Sequence, residues 1–339
     1  MNSQLRPMTL GEILDRTAEL YRNRFSLFAG LSALFAAAML AIQMAHLGVL
    51  ALIGYPHIPA QREWIYAVMI GVELLAISLV AGLSIAAFSR AVAWIHLNET
   101  ATIRAAAKSV FTRPGRYIWL MAVTMFRAWA PLFALYVALF AIIFSVLPAG
   151  FLFNPQLARL APSTDPQTLV TAGIAMLVLL PLLLGAAIYG VLMWLRYSLA
   201  MPACVVENLP AGRAIKRSVE LSKSSRGRLF ILWLLVYAVR MLLGVLLGFP
   251  FLLYSFKHPG QTLPLGWLAL SELAGFVTNT LIGPIYSTGL TLFYYDQRIR
   301  KEGFDIEWMM QAAGLTPPAL AAPSTASEPA ALPATVEER

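Results

Sequence analysis

The stretch FSLFAGLSALFAAAMLAIQMAHLGVLALI, from Phe25 to Ile53, decides the fold. It carries no charge from end to end, and its polar side chains are limited to Ser26, Ser32, Gln43 and His46. A helix of about 20 residues already crosses the roughly 30 Å hydrocarbon core of a bilayer, so this run is long enough to span with residues to spare. A membrane strand would need only about 10 residues with alternating character. The run therefore predicts a transmembrane helix. The residues before it include Arg6, Glu12, Asp15, Arg16, Glu19, Arg22 and Arg24. Such charge, with an apolar run longer than a signal-peptide core, predicts an anchor that is kept and not cleaved.

Working outward, five further runs of the same kind follow. The spans are expected at about 25–53, 64–89, 117–148, 168–195, 229–256 and 264–295. Composition agrees: of 339 residues, 59% are hydrophobic and 12% charged, against roughly 25% charged in a soluble domain. The expected class is an all-α polytopic membrane protein, because a helix satisfies its backbone groups within one segment. Pro131, Pro181, Pro250 and Pro284 fall inside spans and predict kinks. Residues 315–339 are rich in Ala, Pro, Ser and Thr and are expected to be disordered.

The net charge of +8 is distributed by side. The junctions at 54–63, 149–167 and 257–263 carry only Arg62, Arg159 and Lys257, whereas the alternate junctions and the N-terminal stretch collect most of the remaining Arg and Lys. The positive-inside rule then predicts cytoplasmic N- and C-termini. Basic residues beside apolar runs, without interleaved stacking aromatics, argue against nucleic acid as a partner.

An internal repeat is expected from the segments that precede alternate spans. Gly11, Arg16, Glu19 and Leu20 match Gly212, Arg217, Glu220 and Leu221 in register, and Arg104, Lys108, Ser109 and Val110 resemble Arg213, Arg217, Ser218 and Val219. Leu10, Ile13, Leu14, Ala18 and Tyr21 share one helical face, and Thr9 with Glu12 has capping-box spacing. The reading is three units, each an amphipathic helix at the lipid headgroups followed by a two-helix hairpin. The interfacial helices are expected at about 9–24, 100–112 and 209–224, with another at 304–313. Candidate contacts to anionic headgroups are Arg16, Arg22, Arg24, Lys108, Arg113, Arg116, Arg217, Arg226 and Arg228.

Glu73, Arg127, Arg240 and Glu272 lie well inside spans. Each costs about 2.5–3.5 kcal/mol at mid-bilayer on insertion scales, so each is expected to face protein or water and to be paired. Equal numbers of each sign predict Glu73–Arg127 and Glu272–Arg240 contacts. Two readings stay open: ion pairs that pin helices, or an anion site built on the two guanidiniums. His46 is expected to be hydrogen-bonded within the bundle. Trp64, Trp119, Trp194, Trp267 and Tyr55 are expected at the interfaces, and Gly244 with Gly248 could serve packing or oligomer formation.

No phosphate-binding loop, HExxH or EF-hand pattern occurs, and the four His are scattered. The single Cys204 excludes an internal disulfide and any cysteine cluster. Neither a metal, nor another cofactor, nor catalysis is expected.

The opening Leu5-Arg-Pro-Met-Thr-Leu-Gly-Glu-Ile-Leu-Asp-Arg16 resembles a bacterial membrane family named after the membrane domain of glycerophosphoryl diester phosphodiesterases. Similar stretches are Arg196-Tyr-Ser-Leu-Ala-Met-Pro-Ala-Cys-Val-Val-Glu207, the segment Ala214 to Leu221, and Tyr294-Tyr-Asp-Gln-Arg-Ile-Arg300. The resemblance implies a membrane module. It does not carry the hydrolase over, since the His-Arg pair of that enzyme's soluble barrel occurs nowhere in this chain. The expected function is a non-catalytic scaffold or lipid-interacting module for envelope proteins, with a transporter of an anionic lipid-derived solute as the alternative.

Overall fold

The computed structural model describes residues 6–55, 63–96, 99–146, 166–258 and 261–303. Within them lie ten helices: α1 (Leu10–Asn23), α2 (Phe25–Ile53), α3 (Glu63–His96), α4 (Ile103–Phe111), α5 (Pro114–Val146), α6 (Pro166–Tyr197), α7 (Ala200–Val206), α8 (Ala211–Ser222), α9 (Arg226–Lys257) and α10 (Leu265–Glu302). The described residues contain no strand. Six helices, α2, α3, α5, α6, α9 and α10, are long and apolar enough to cross a membrane. The fold is all-α and polytopic. The expected helix at 304–313 and the tail at 315–339 lie outside the described residues.

The long helices turn back and forth, so that α1, α4, α7 and α8 gather with most of the Arg side chains at one end, here called the basic face. Leu177, Leu242, Phe126 and Phe256 stand on the outside with large exposure, as suits helices whose outer solvent is lipid tail. The tightest core is at the basic face, where Phe28, Phe88, Leu199, Cys204, Leu292 and Phe293 are fully buried. There the short helices add a second layer over the ends of the long ones.

That layer adds two features to the expected spans. The apolar runs are expected to end near residues 89 and 295, and the helices continue past them, α3 to His96 and α10 to Glu302. Run length measures hydrocarbon thickness, whereas the helices continue because Ala91, Val92, Tyr294 and Tyr295 are buried against the short helices. Two of the amphipathic helices also bury apolar residues against protein. Ile13 and Leu20 of α1 are buried, and α1 packs on α2, α9 and α10. Ala214, Ile215 and Leu221 of α8 are likewise buried, with α5, α6, α7 and α10 as neighbours.

Local signals account for the ends. Thr9 Oγ1 accepts from the Glu12 N–H at 3.3 Å, and Glu12 accepts from the Thr9 N–H at 2.6 Å, closing the capping box. The Thr9 backbone and the Arg6 guanidinium hold the Glu12 carboxyl below its usual range. Gly54 ends α2 at φ 101°, a conformation that favours glycine. Pro131, Pro181, Pro250 and Pro284 all sit inside continuing helices. The α5–α6 contact is close at Gly190, where a Cβ would stand 3.0 Å from the Trp129 ring. By contrast a Cβ at Gly244 or Gly248 would meet nothing, so no described part of the chain packs on that face of α9.

Candidate functional site

A cavity of about 470 Å³ opens among α2, α3, α6, α9 and α10. Small side chains make the room, Ala36 and Ser32 from α2 with Ala81 and Ser84 from α3. α10 approaches α2 at Gly283, whose Cβ would lie 3.0 Å from Ser32 Oγ, and Ser32 donates to the Asn279 carbonyl at 2.9 Å. The opposite wall is aromatic. Tyr286 stacks on Trp194, Trp194 meets Trp233 edge-on, and Trp233 stacks on Tyr237, with centroid distances of 5.9, 5.7 and 5.1 Å. Sequence reasoning assigned Trp194 to an interface; the structure makes it part of this wall, because its ring reaches inward between α9 and α10.

Arg240 completes the lining. It follows Trp233, Val236 and Tyr237 at helical spacing, so one face of α9 presents two rings and then a guanidinium. Arg240 has no hydrogen bond or ion pair among the described residues, and the expected Glu272–Arg240 contact does not form. Among the described residues no carboxylate or imidazole lines the cavity. Arg240 is therefore the single formal charge among its described lining residues, and Asn279 adds an amide.

The acids lie further from the basic face on the same helices. Glu73 pairs with His46 Nδ1, and not with Arg127. Both side chains are mostly covered, at 20% and 13% exposure. Glu272 is within electrostatic reach of Glu73 and His46. His46 is seven residues beyond Met39 of the cavity, Glu272 seven before Asn279 and Glu73 eight before Ala81. Two helical turns, about 11 Å, separate the two groups along α2, α3 and α10. Arg127 is exposed on the outside of α5 and has no ion pair among the described residues. The four in-span charges thus do not form one cluster: depth was legible from sequence, whereas the rotation of α5 about its axis was not.

The candidate headgroup contacts divide. Arg22, Arg24, Lys108 and Arg113 are exposed. Arg16 is tied to Glu19 at 2.6 Å. Arg217 binds Glu207 at 3.0 Å and Glu302 at 2.5 Å. Burial opposes its charge, but these hydrogen bonds outweigh that and raise its pKa. Arg228 binds Asp296 at 3.2 Å, Arg226 is half-buried, and Arg116 is held by Asn208. Arg217 and Arg228 therefore hold helices together, contrary to the headgroup reading, because carboxylates of α7–α8 and α10 reach them first. Sequence reasoning missed Asp296, which is fully buried, although a lone acid just before Arg298, Arg300 and Lys301 was a usable signal.

Fold and site define a polytopic helical membrane protein with a singly cationic, aromatic cavity between its helices. Compared with known proteins, the chain matches no family model, no curated protein and no solved structure.

Proposed function

We propose that the protein is a non-catalytic, lipid-interacting module of a bacterial inner membrane, and that its cavity holds one amphiphilic anion. The observation that carries this reading is the unpaired Arg240 beside the Trp233–Tyr237 wall. A guanidinium inside a membrane span is costly without a counter-charge, and the rings offer apolar area next to it for a chain or ring of the ligand. Among the described residues the lining holds no carboxylate or imidazole, so its Ser hydroxyls have no base beside them, which supports binding over catalysis. Anionic lipids and other envelope proteins are the expected partners, the open Gly244/Gly248 face offers a route to an oligomer, and the three helix-plus-hairpin units belong to the same reading. The resemblance to the membrane domain of glycerophosphoryl diester phosphodiesterases agrees with a module of this kind.

The direct test is native mass spectrometry of the full chain from mild detergent. Wild type is expected to retain an anionic lipid or lipid-derived species, and Arg240→Gln to lose at least about 90% of it, as removal of a charge-assisted contact implies. A folded Arg240→Gln protein with undiminished retention would overturn the cavity as the binding site.

His46, Glu73 and Glu272 favour a second reading, transport of the same anion. They stand two turns from the cavity on three of its own helices, and ionisable groups inside spans commonly mark ion and solute routes. Proteoliposome uptake that requires both Glu73 and Arg240 would establish it over static binding.

Orientation is part of the proposal, with the basic face and both termini cytoplasmic. The native Cys204 is buried and donates to the Leu209 carbonyl at 3.2 Å, so single-cysteine reporters can be read over it. A cysteine at Gln261 is expected to react with an impermeant thiol reagent in intact cells, and one at Ser224 only after lysis. The reverse pattern would invert the topology.

A further inference from the structure

The basic face carries a second opening, of about 270 Å³, between the ends of α3 and α4, the start of α5 and the turn before α8. Arg90, Arg113 and Arg116 all line it, with Tyr117 and Asn208. Elsewhere on this face Arg16, Arg217, Arg228, Arg298 and Arg300 each meet a carboxylate. Among the described residues none of these three does. Three guanidiniums around one opening repel one another, and this fold has acids that neutralise other Arg side chains nearby.

The arrangement is held in place by neutral acceptors. Arg116 Nη1 donates to the Asn208 carbonyl at 3.1 Å and to its Oδ1 at 2.8 Å. Its Nη2 donates to Tyr117 Oη at 3.3 Å and to the Cys204 carbonyl at 3.5 Å. Asn208 has φ 52°, the left-handed region that Asn tolerates, and this turns its carbonyl and side-chain oxygen toward the same guanidinium nitrogen. Arg116 is thereby fixed without losing its charge, and its Nε is buried with no acceptor. Ser109 and Thr112 donate their hydroxyl protons to the Ala106 and Ser109 carbonyls, both at 2.7 Å, and contribute no donor. The remaining donors are the guanidiniums of Arg90 and Arg113, the Tyr117 O–H, whose oxygen accepts from Arg116, and the Asn208 amide N–H groups.

We propose that this opening, separate from the intramembrane cavity, is a binding site for a phosphate monoester group. Its size suits one anionic head with the rest of the ligand outside. Unpaired planar guanidiniums match phosphate oxygens two at a time. A monoester carries close to two negative charges at neutral pH, since its second pKa is near 6, and a diester carries one. Three uncompensated cations thus select the monoester. A phosphomonoester lipid such as phosphatidic acid and free phosphate present the same chemistry.

The test uses the full chain in nanodiscs of phosphatidylcholine. In one arm the discs contain phosphatidic acid or phosphatidylglycerol, and retained lipid is counted by native mass spectrometry. In the other, inorganic phosphate is titrated calorimetrically against discs of phosphatidylcholine alone. The expected result is monoester binding that falls about tenfold in Arg113→Gln and further in Arg90→Gln/Arg113→Gln, as lost charge-assisted bonds imply. It should be unmoved in Arg213→Gln/Lys216→Gln, which removes equal charge from the same face. Retention of phosphatidic acid over phosphatidylglycerol, undisturbed by inorganic phosphate, assigns the lipid as source. Calorimetric binding of inorganic phosphate that the double variant abolishes assigns free phosphate. Equal losses in the two double variants, or no difference between wild type and Arg90→Gln/Arg113→Gln with either probe, overturn the site. Arg113 is exposed, so Arg113→Gln decides the matter if Arg90→Gln fails to fold.

Discussion

Asp296→Ala is expected to cost about 3–5 kcal/mol, the loss typical of breaking a buried ion pair from one side. The Asp296 side chain has no exposure. It accepts from Arg228 Nη1 at 3.2 Å, Arg300 Nε at 2.9 Å, Gln297 Nε2 at 2.9 Å and the Met8 N–H at 2.8 Å. The two guanidiniums also donate to the Met8 carbonyl, at 2.9 and 2.7 Å. One carboxylate therefore joins the start of α9, the end of α10 and the chain leading into α1. Alanine would leave the partly covered Arg228, the exposed Arg300 and one backbone N–H without their acceptor, and the chain leading into α1 would lose this polar tie to the bundle. Asn, which keeps the shape and one acceptor oxygen, should cost less than Ala. Thermal unfolding in detergent checks the order; an Asp296→Ala protein within about 1 kcal/mol of wild type would show that the network contributes little.

The same residue shows what a reading of the chain reaches. The run from Phe25 to Ile53 identifies a span by length because a bilayer leaves an unpaired backbone no alternative. The Thr9–Glu12 spacing identifies the start of α1 because capping is local. What covers the apolar face of α1 is not local. Amphipathic periodicity states that Ile13 and Leu20 will be buried, and either lipid or protein satisfies it. Here the cover is α2, α9 and α10, anchored by an acid 288 residues from Met8.

The sites follow the same division. Glu73, Arg127, Arg240 and Glu272 stand out in sequence because charge inside a span is anomalous, and their depth follows from residue counting. Their partners depend on helix rotation. Glu73 faces α2 and finds His46, while Arg127, at comparable depth, points away from the bundle. The aromatic wall was legible only in part, through the spacing of Trp233, Tyr237 and Arg240 on α9; Trp194 and Tyr286 join it from other helices. At the basic face, Arg113 and Arg116 read as one cluster, but the group that fixes Arg116 is Asn208, 92 residues on. Nothing in the spacing of these residues predicts that encounter.

Arg240→Leu is expected to raise stability while abolishing ligand retention, and the sign of the stability change separates site from scaffold. A guanidinium that pins helices has acceptors, so its removal strands them and lowers the melting temperature. Arg240 has no acceptor among the described residues. Leucine at the same depth removes an insertion penalty of about 2.5–3.5 kcal/mol for Arg and adds apolar contact. Arg240 is itself exposed, which reduces that penalty, so a gain of about 1–2 kcal/mol is the expected figure. Sites that bind ions commonly carry such instability, since the residue is held for the ligand rather than for the fold. The measurement is the unfolding midpoint of both proteins stripped of ligand in neutral detergent, then again with added anionic lipid. Wild type should gain stability from the lipid by mass action and Arg240→Leu should not. A stripped Arg240→Leu protein less stable than wild type would mean that Arg240 serves the fold, and the cavity would lose the one charge that argues for an anion.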